Sequence, residues 1–600
     1  MIYNGENLDQ NLLKKLKDDD LKKVATILRE NIVQVVSSNG GHLSSNLGVI
    51  ELTIGLLKNF DIDKDDIIFD VGHQTYAYKI LTGRDLSSLR KKDGIAPFSS
   101  RTESKYDVIN NGHSSTSISY ALAIAESKRL KGDNSYTIAF IGDGSITNGL
   151  SFEALNCIAD YKDLNIIIVL NDNGMSISNS TGSLAKRFAK LRKSKFYLKR
   201  VLSFKRLKRH KLTKWIYYLF KKMKDGFKHL IIRDNIFEAM GLSYNGAFDG
   251  NNIKEVNLAL DFAKQVKGPI ILHFVTEKGK GFEFASDDKL GHWHGVDPFD
   301  VETGSLKEEK REDYSSYTGK MIHSLMEKDE STYLISPAMV YGSNLEDCFS
   351  DFKERTKDVG ISEEHAIVYG TGLAIKNHHV ILSIYSTFLQ RGYDEISHDL
   401  ARSNVSMLVF VERAGLVGKD GSSHQGIYDV AFLKTIPNVT IYQPSSKEDI
   451  DEIYNRSDEI FSLTRPVFIR LPKEPIENVL YEDRLIGNKS IVISLGPKGR
   501  RLLSKVNSID TLLIKRLHPL EEKLKIILNY EKIYLYDPYS TINGISSSIE
   551  HYLVQNSYKG TYTSFALPNE FISSASIDEQ LEIYELDEKN VLEKINEESK

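Results

Sequence analysis

The run from Tyr136 to Ser178, YTIAFIGDGSITNGLSFEALNCIADYKDLNIIIVLNDNGMSIS, constrains the fold of this chain more than any other stretch. It opens with a β-rich segment, Tyr136 to Ile141, and passes through Gly142-Asp143-Gly144 into a segment whose Phe152, Leu155, Ile158 and Ala159 fall at helical spacing. A second apolar run, Ile166 to Leu170, ends in Asn171-Asp172-Asn173. Strand, helix and parallel strand joined by a right-handed crossover bring the two strand ends close at one edge of a sheet, so Asp143 and Asn173 are expected to share a site.

That site suits a diphosphate held by magnesium. Gly142 and Gly144 carry no Cβ, so backbone can approach phosphate, and the helix that follows offers unbonded N–H groups to an anion. Asp143 and the Asn173 amide supply hard oxygens, and Mg²⁺ takes about six such ligands, several of them from phosphate and water. Alone, Gly-Asp-Gly reads as a turn and the asparagines as a strand end. Their pairing across a whole helix favours the metal.

The combination resembles the thiamine diphosphate signature, in which GDG is followed by a second metal-binding Asn. The surrounding sequence is similar to the 1-deoxy-D-xylulose-5-phosphate synthase family along nearly the whole chain. The resemblance implies an α/β protein of three doubly wound domains of transketolase type. Residues 1–312 would bind diphosphate and metal and carry a basic insertion at about 184–230; residues 313–481 would bind the pyrimidine; 482–600 would form a C-terminal α/β domain. It implies thiamine diphosphate and Mg²⁺ as cofactors, pyruvate and D-glyceraldehyde 3-phosphate as substrates, and a homodimer. A transketolase-like carboligase and a cofactor-binding, non-catalytic paralogue are the competing readings.

Site residues follow from the same resemblance. Asp143, the Asn173 side chain and the Met175 carbonyl would bind magnesium, with Gly144 and Ser145 lining the diphosphate site. His42, in GGHLSSNLGVIELT, would face the substrate; His73 in DVGHQ and Gly112, His113 and Ser114 in GHSSTS would border the diphosphate and thiazolium. Lys278 and Phe282 would stand near the active site, and His294 on its substrate side. Glu363, in ISEEHA, takes the place of the glutamate that meets the pyrimidine N1′. Phe388 would pack on the pyrimidine; Tyr385 and Arg391 would face the acceptor; Asp420 and His424 would line the site; Arg470 would hold phosphate. His42, His113, His294 and His424 are the candidates for proton transfer. Read without the resemblance, these are loop histidines, a helix-capping Ser114, a core Phe388, a surface ion-pair partner in Arg391, and one acid among many in Glu363. The chain departs from the family pattern at Ser44-Ser45, Gly174, Phe282, Glu364 and Asn543-Gly544-Ile545-Ser546.

The chemistry gives one carboxyl special weight. Thiamine diphosphate becomes nucleophilic by losing its C2 proton to its own 4′-imino group, a tautomer that needs a proton shared at N1′. A carboxyl held in an apolar pocket meets that need.

Bulk properties narrow the class. Six hundred residues suggest several domains, and two cysteines, Cys157 and Cys348, are too few for a disulfide framework. The charged N-terminus is unlike a signal peptide, and no apolar run approaches the roughly 20 residues of a membrane span, so a cytoplasmic protein is expected. Charge is uneven. Between Leu184 and Leu230, 18 Lys and Arg stand against one acid, Asp225, although the net charge is -4. Such a block, with Trp215 and several tyrosines, has the chemistry to bind nucleic acid or an anionic membrane. The resemblance assigns it instead to a variable insertion after the metal site. The charged run from Glu302 to Asp313 reads as a linker, after which strands and helices alternate again.

Overall fold

The computed structural model describes residues 1–174, 236–288, 290–309 and 311–598. Met175 and the basic block at about 184–230 lie outside them. Among the described residues no helix is long and apolar enough to cross a membrane. The chain divides into two compact units, Met1–Leu89 with Phe98–Lys307, and Arg90–Pro97 with Glu308–Lys600. The division at Lys307 falls inside the charged run read as a linker.

The first unit is built on five parallel strands: β1 (Asp66–Phe69), β2 (Thr137–Gly142), β3 (Ile166–Asp172), β4 (Ser243–Asp249) and β5 (Ile270–Val275). Their spatial order is β1-β2-β3-β5-β4. β2 and β3 read as continuous apolar runs because helices cover both their faces. On one face Ile118, Ala121 and Ala125 of the helix Ser117–Leu130, and Leu155 and Ile158 of the helix Gly149–Ile158, close over Ala139, Ile141, Ile168 and Leu170. Elsewhere the helices Ile50–Asn59 and Ile253–Ala263 pack closely at Gly55, where a Cβ would stand 2.3 Å from Val256 Cγ1. The register pairs Gly142 with Asn171, so the crossover expected from the sequence does bring the two strand ends side by side.

The second unit holds two sheets. The strands β6 (Thr332–Ser336), β7 (Thr356–Asp358), β8 (His379–Tyr385), β9 (Leu408–Ala414), β10 (Thr440–Tyr442) and β11 (Val467–Pro472) run parallel. Then come β12 (Ser490–Leu495), β13 (Asp510–Ile514), β14 (Arg516–His518), β15 (Lys532–Thr541) and β16 (Thr561–Leu567). One sheet is ordered β14-β10-β11-β9-β8-β6-β7 and the other β13-β12-β15-β16. β14, from beyond residue 482, joins the larger sheet antiparallel to β10. A single apolar core runs from Ile384 and Val409 in the larger sheet to Ile491, Leu512 and Ile533 in the smaller. This shared core is why the two sheets form one unit.

Candidate active site

In the first unit the site is built at the C-terminal ends of β2 and β3, where parallel sheets gather ligands. Asp143 is 3% exposed, and its N–H donates to Asn171 O over 3.1 Å. The next residues of the turn are sorted by their hydrogen bonds. Asn171 Oδ1 accepts from Thr276 Oγ1 at 2.6 Å, and buried Asp172 pairs with His273, whereas Asn173 follows the strand end half-buried. Gly174 adopts φ +77°, the left-handed region in which glycine is unstrained.

A second loop meets the first. Both carboxylate oxygens of Asp70 are used, Oδ1 accepting from Ser115 N–H at 2.8 Å and Oδ2 from Ser117 N–H at 3.1 Å. Burial pushes the Asp70 carboxyl above its ordinary pKa, and these donors pull it back. Ser115 Oγ in turn donates to Ser145 O at 2.9 Å, so the segment carrying Gly112, His113 and Ser114 is tied to the one carrying Gly144 and Ser145. Sequence reasoning missed Asp70; its signal was a lone acid at the end of a buried strand.

His42, His73 and His294 converge, with ring centroids 5.6 Å apart for His42 with His73 and with His294, and 5.1 Å for His73 with His294. Asn46, also missed, brings two of their loops together: its Nδ2 donates to His42 O at 2.6 Å and to His73 O at 2.7 Å. Burial, with Lys278 and the other two imidazoles nearby, drives the His294 pKa well down. Lys278 is pushed down to about 8 by burial, against the pull of Asp288 and Asp143. Phe282 packs with Trp293, Phe284 and Phe299, an aromatic cluster that anchors the segment leading to His294.

The second unit offers a different environment. Glu363 opens the helix Glu363–Ile375, is 3% exposed, and its Oε2 accepts no hydrogen bond from any described residue. Burial pushes its pKa up to about 7 even though the Arg391 guanidinium, 3.8 Å away, pulls the other way. Next to Arg391, Gly392 packs against Ile367, whose Cδ1 would lie 2.0 Å from a Cβ at that position. Tyr385 and Phe388 stack at 5.7 Å and 7°, and His424 meets the Phe388 ring edge-on at 5.7 Å.

Asp420 is held by Arg90 Nη2 at 2.5 Å and lies 3.9 Å from Arg413 Nη1. Arg413 lies over the Tyr385 ring, 4.3 Å from its centroid. Arg413 was missed although it ends β9 by the same strand-end rule that drew attention to Arg391. Behind it Glu412 is buried, which pushes its pKa up to about 8.

Arg470 lies apart from the half-exposed arginines of this unit. It is fully buried, and its guanidinium donates to Asp429 through Nε at 2.9 Å and Nη2 at 2.8 Å, to Gln443 Oε1, to Gly426 O at 3.3 Å and to Tyr539 O at 3.1 Å. A group engaged by five protein acceptors is a tie between β11, the loop ending at Gly426 and β15.

The two units present different chemistry. The first presents hard oxygens, backbone and imidazoles, which suit a metal and a diphosphate. The second presents a carboxyl kept out of water beside flat rings, which suits a nitrogen heterocycle. That division marks a thiamine diphosphate-dependent enzyme of the transketolase class. Residues 7–276 match the family described as 1-deoxy-D-xylulose-5-phosphate synthase, and residues 311–477 match the transketolase pyrimidine binding domain. Proteins named 1-deoxy-D-xylulose-5-phosphate synthase are similar over almost their full length. That of Clostridium beijerinckii is 38% identical across 96% of this chain and 97% of its own. For Clostridium tetani the figures are 37%, 97% and 97%, and for Bacillus licheniformis 35%, 98% and 97%. The chain belongs to the 1-deoxy-D-xylulose-5-phosphate synthase family.

Proposed function

We infer that this chain decarboxylates pyruvate and joins the remaining two carbons to D-glyceraldehyde 3-phosphate, giving CO₂ and 1-deoxy-D-xylulose 5-phosphate. The observation that carries the reading is Glu363, a buried carboxyl whose Oε2 lacks a hydrogen-bond donor and whose pKa is about 7. Such a group can hold a proton at neutral pH and share it with a ring nitrogen. Thiamine diphosphate, when bound, supplies an acidic carbon that adds to the keto group and takes up the electron pair left by departing CO₂.

The chain's own residues do the rest. Glu363 shares its proton with the pyrimidine N1′, and Phe388 supports the ring. Asp143 and Asn173 provide oxygens for Mg²⁺, to which the sequence resemblance adds the Met175 carbonyl. Gly112, Ser114, Gly144, Ser145 and His73 border the diphosphate, and Phe282 steadies the segment that carries His294. His42, His113, His294 and His424 move protons at the substrate oxygens. Tyr385, Asp420 and Lys278 position the acceptor, and Arg391 with Arg413 offers its phosphate two cations; Arg guanidinium groups bind such dianions through paired N–H bonds. In this reading residues 1–312 serve the diphosphate, 313–481 the pyrimidine, and 482–600 brace the latter. A cytoplasmic homodimer completes the proposal; the two free cysteines agree with a reducing compartment.

The test mixes purified protein, thiamine diphosphate, Mg²⁺, pyruvate and glyceraldehyde 3-phosphate and follows CO₂ and pentulose together. Equal yields of both are expected. Turnover of a phosphorylated ketose donor without use of pyruvate would overturn the reading.

A further inference from the structure

Behind the metal turn runs a buried polar chain that the reaction does not account for. Asp172 and His273 are both fully buried, and Asp172 Oδ2 lies 3.0 Å from His273 Nε2. The other imidazole nitrogen, Nδ1, lies 2.6 Å from Tyr244 Oη. With Nε2–H donating to the carboxylate, Nδ1 accepts the tyrosine hydroxyl. The three residues come from β3, β5 and β4, which are neighbours in that order, so the chain crosses the sheet from the turn to its edge.

At the inner end Asp172 Oδ1 accepts the N–H of Gly174 at 3.1 Å, while Asp172 O accepts from Thr276 N–H at 3.0 Å. Asn173 is therefore flanked on both sides by backbone that Asp172 fixes. At the outer end the Tyr244 ring stacks on Phe237, 5.8 Å between centroids and 19° between planes. Phe237 is the second residue after the stretch 175–235, and Gly174 the last before it. The chain thus reaches both flanks of that stretch, by a hydrogen bond to the Gly174 backbone and by a ring contact at Phe237.

A buried carboxylate and imidazole contribute little net stability compared with apolar side chains of the same volume. Partners behind a metal ligand are retained for another reason: they orient the ligand before the ion arrives. We propose that Asp172, His273 and Tyr244 form a support that pre-sets the metal-binding turn, a positioning role that rests on the reading of Asp143 and Asn173 as magnesium ligands.

The test uses Mn²⁺ as the probe, titrated into the full-length protein with saturating thiamine diphosphate and followed by the paramagnetic resonance signal of free ion. Asp172→Ala and His273→Phe are expected to weaken Mn²⁺ by about 10–100-fold, the range for lost outer partners of a metal ligand. Asp172→Asn keeps an acceptor for the Gly174 N–H and should stay within about threefold of wild type, on the same scale. Folded Asp172→Ala or His273→Phe protein that binds Mn²⁺ like wild type, whatever its melting temperature, would overturn the proposal. Should those two fail to fold, Tyr244→Phe decides, since it removes only a hydroxyl at a half-buried position. Weaker Mn²⁺ supports the chain; unchanged Mn²⁺ with a lowered melting temperature refutes it. Wild type that binds no Mn²⁺ at all would instead remove the metal reading itself.

Discussion

The turn at Asp143 and Asn173 and the pocket at Glu363 solve opposite problems. The turn gathers polar groups: its donors and acceptors are tied into strands and loops, and it presents carboxylate and amide oxygens. The pocket suppresses charge. It withholds hydrogen bonds and water from one carboxyl until the pKa reaches about 7. The coenzyme of this family has both characters, a charged diphosphate and a weakly basic ring.

The contrast breaks most sharply at Glu363. Glu363→Gln should lower turnover by about 10²–10⁴-fold, the span of general acid–base contributions, while metal-dependent coenzyme uptake persists. Loss of uptake together with turnover would mean the carboxyl serves binding. Steady-state rates and calorimetry on one preparation separate the outcomes.

Arg470 and Arg413 sharpen the comparison within the second unit, because one is sealed and the other half-exposed. Arg470→Met leaves Asp429 buried without its counter-charge and should cost about 3–5 kcal/mol of stability in urea unfolding. Arg413→Gln should leave the melting temperature in place and raise KM for glyceraldehyde 3-phosphate about tenfold, the loss of one charge-assisted bond. The reverse pattern would make Arg470 the phosphate group.

The smallest effect is on pH dependence. The folded protein holds the Glu363 proton up to about 7, whereas the unfolded chain releases it near 4.5. This contribution to stability is complete below 4.5 and lost as pH rises through 7. Glu363→Gln should therefore flatten the decline between those values, by about 3 kcal/mol at most, and be the more stable protein at pH 8. Glu412, pushed up to about 8, leaves a residual slope in the variant. A wild-type stability that rises from pH 5 to 7 would contradict the burial argument.

The sequence made the central strands legible because they are buried on both faces and spell uninterrupted apolar runs. It did not reveal β4, whose residues are half-exposed and include Asn245 and Gly246, nor the short β7, β10 and β14, which have no apolar signature of their own. At the site, side chains preceding or following a glycine at a strand end could be found. Supporting residues could not. Asp70, Asn46 and Asp172 act through backbone N–H and C=O groups contributed by distant loops, and a one-dimensional pattern carries no trace of such partners. The partners of Arg470 were hidden for a related reason: its motif was clear, but only packing shows that its guanidinium is engaged by Asp429, Gln443 and backbone carbonyls.

Calorimetric titration of thiamine diphosphate into the purified protein, with and without Mg²⁺, examines the link between turn and coenzyme without any turnover. The account predicts saturable uptake with Mg²⁺, little without it, and loss of the Mg²⁺ response in Asp143→Ala. Uptake indifferent to Mg²⁺, or none under either condition, would contradict it.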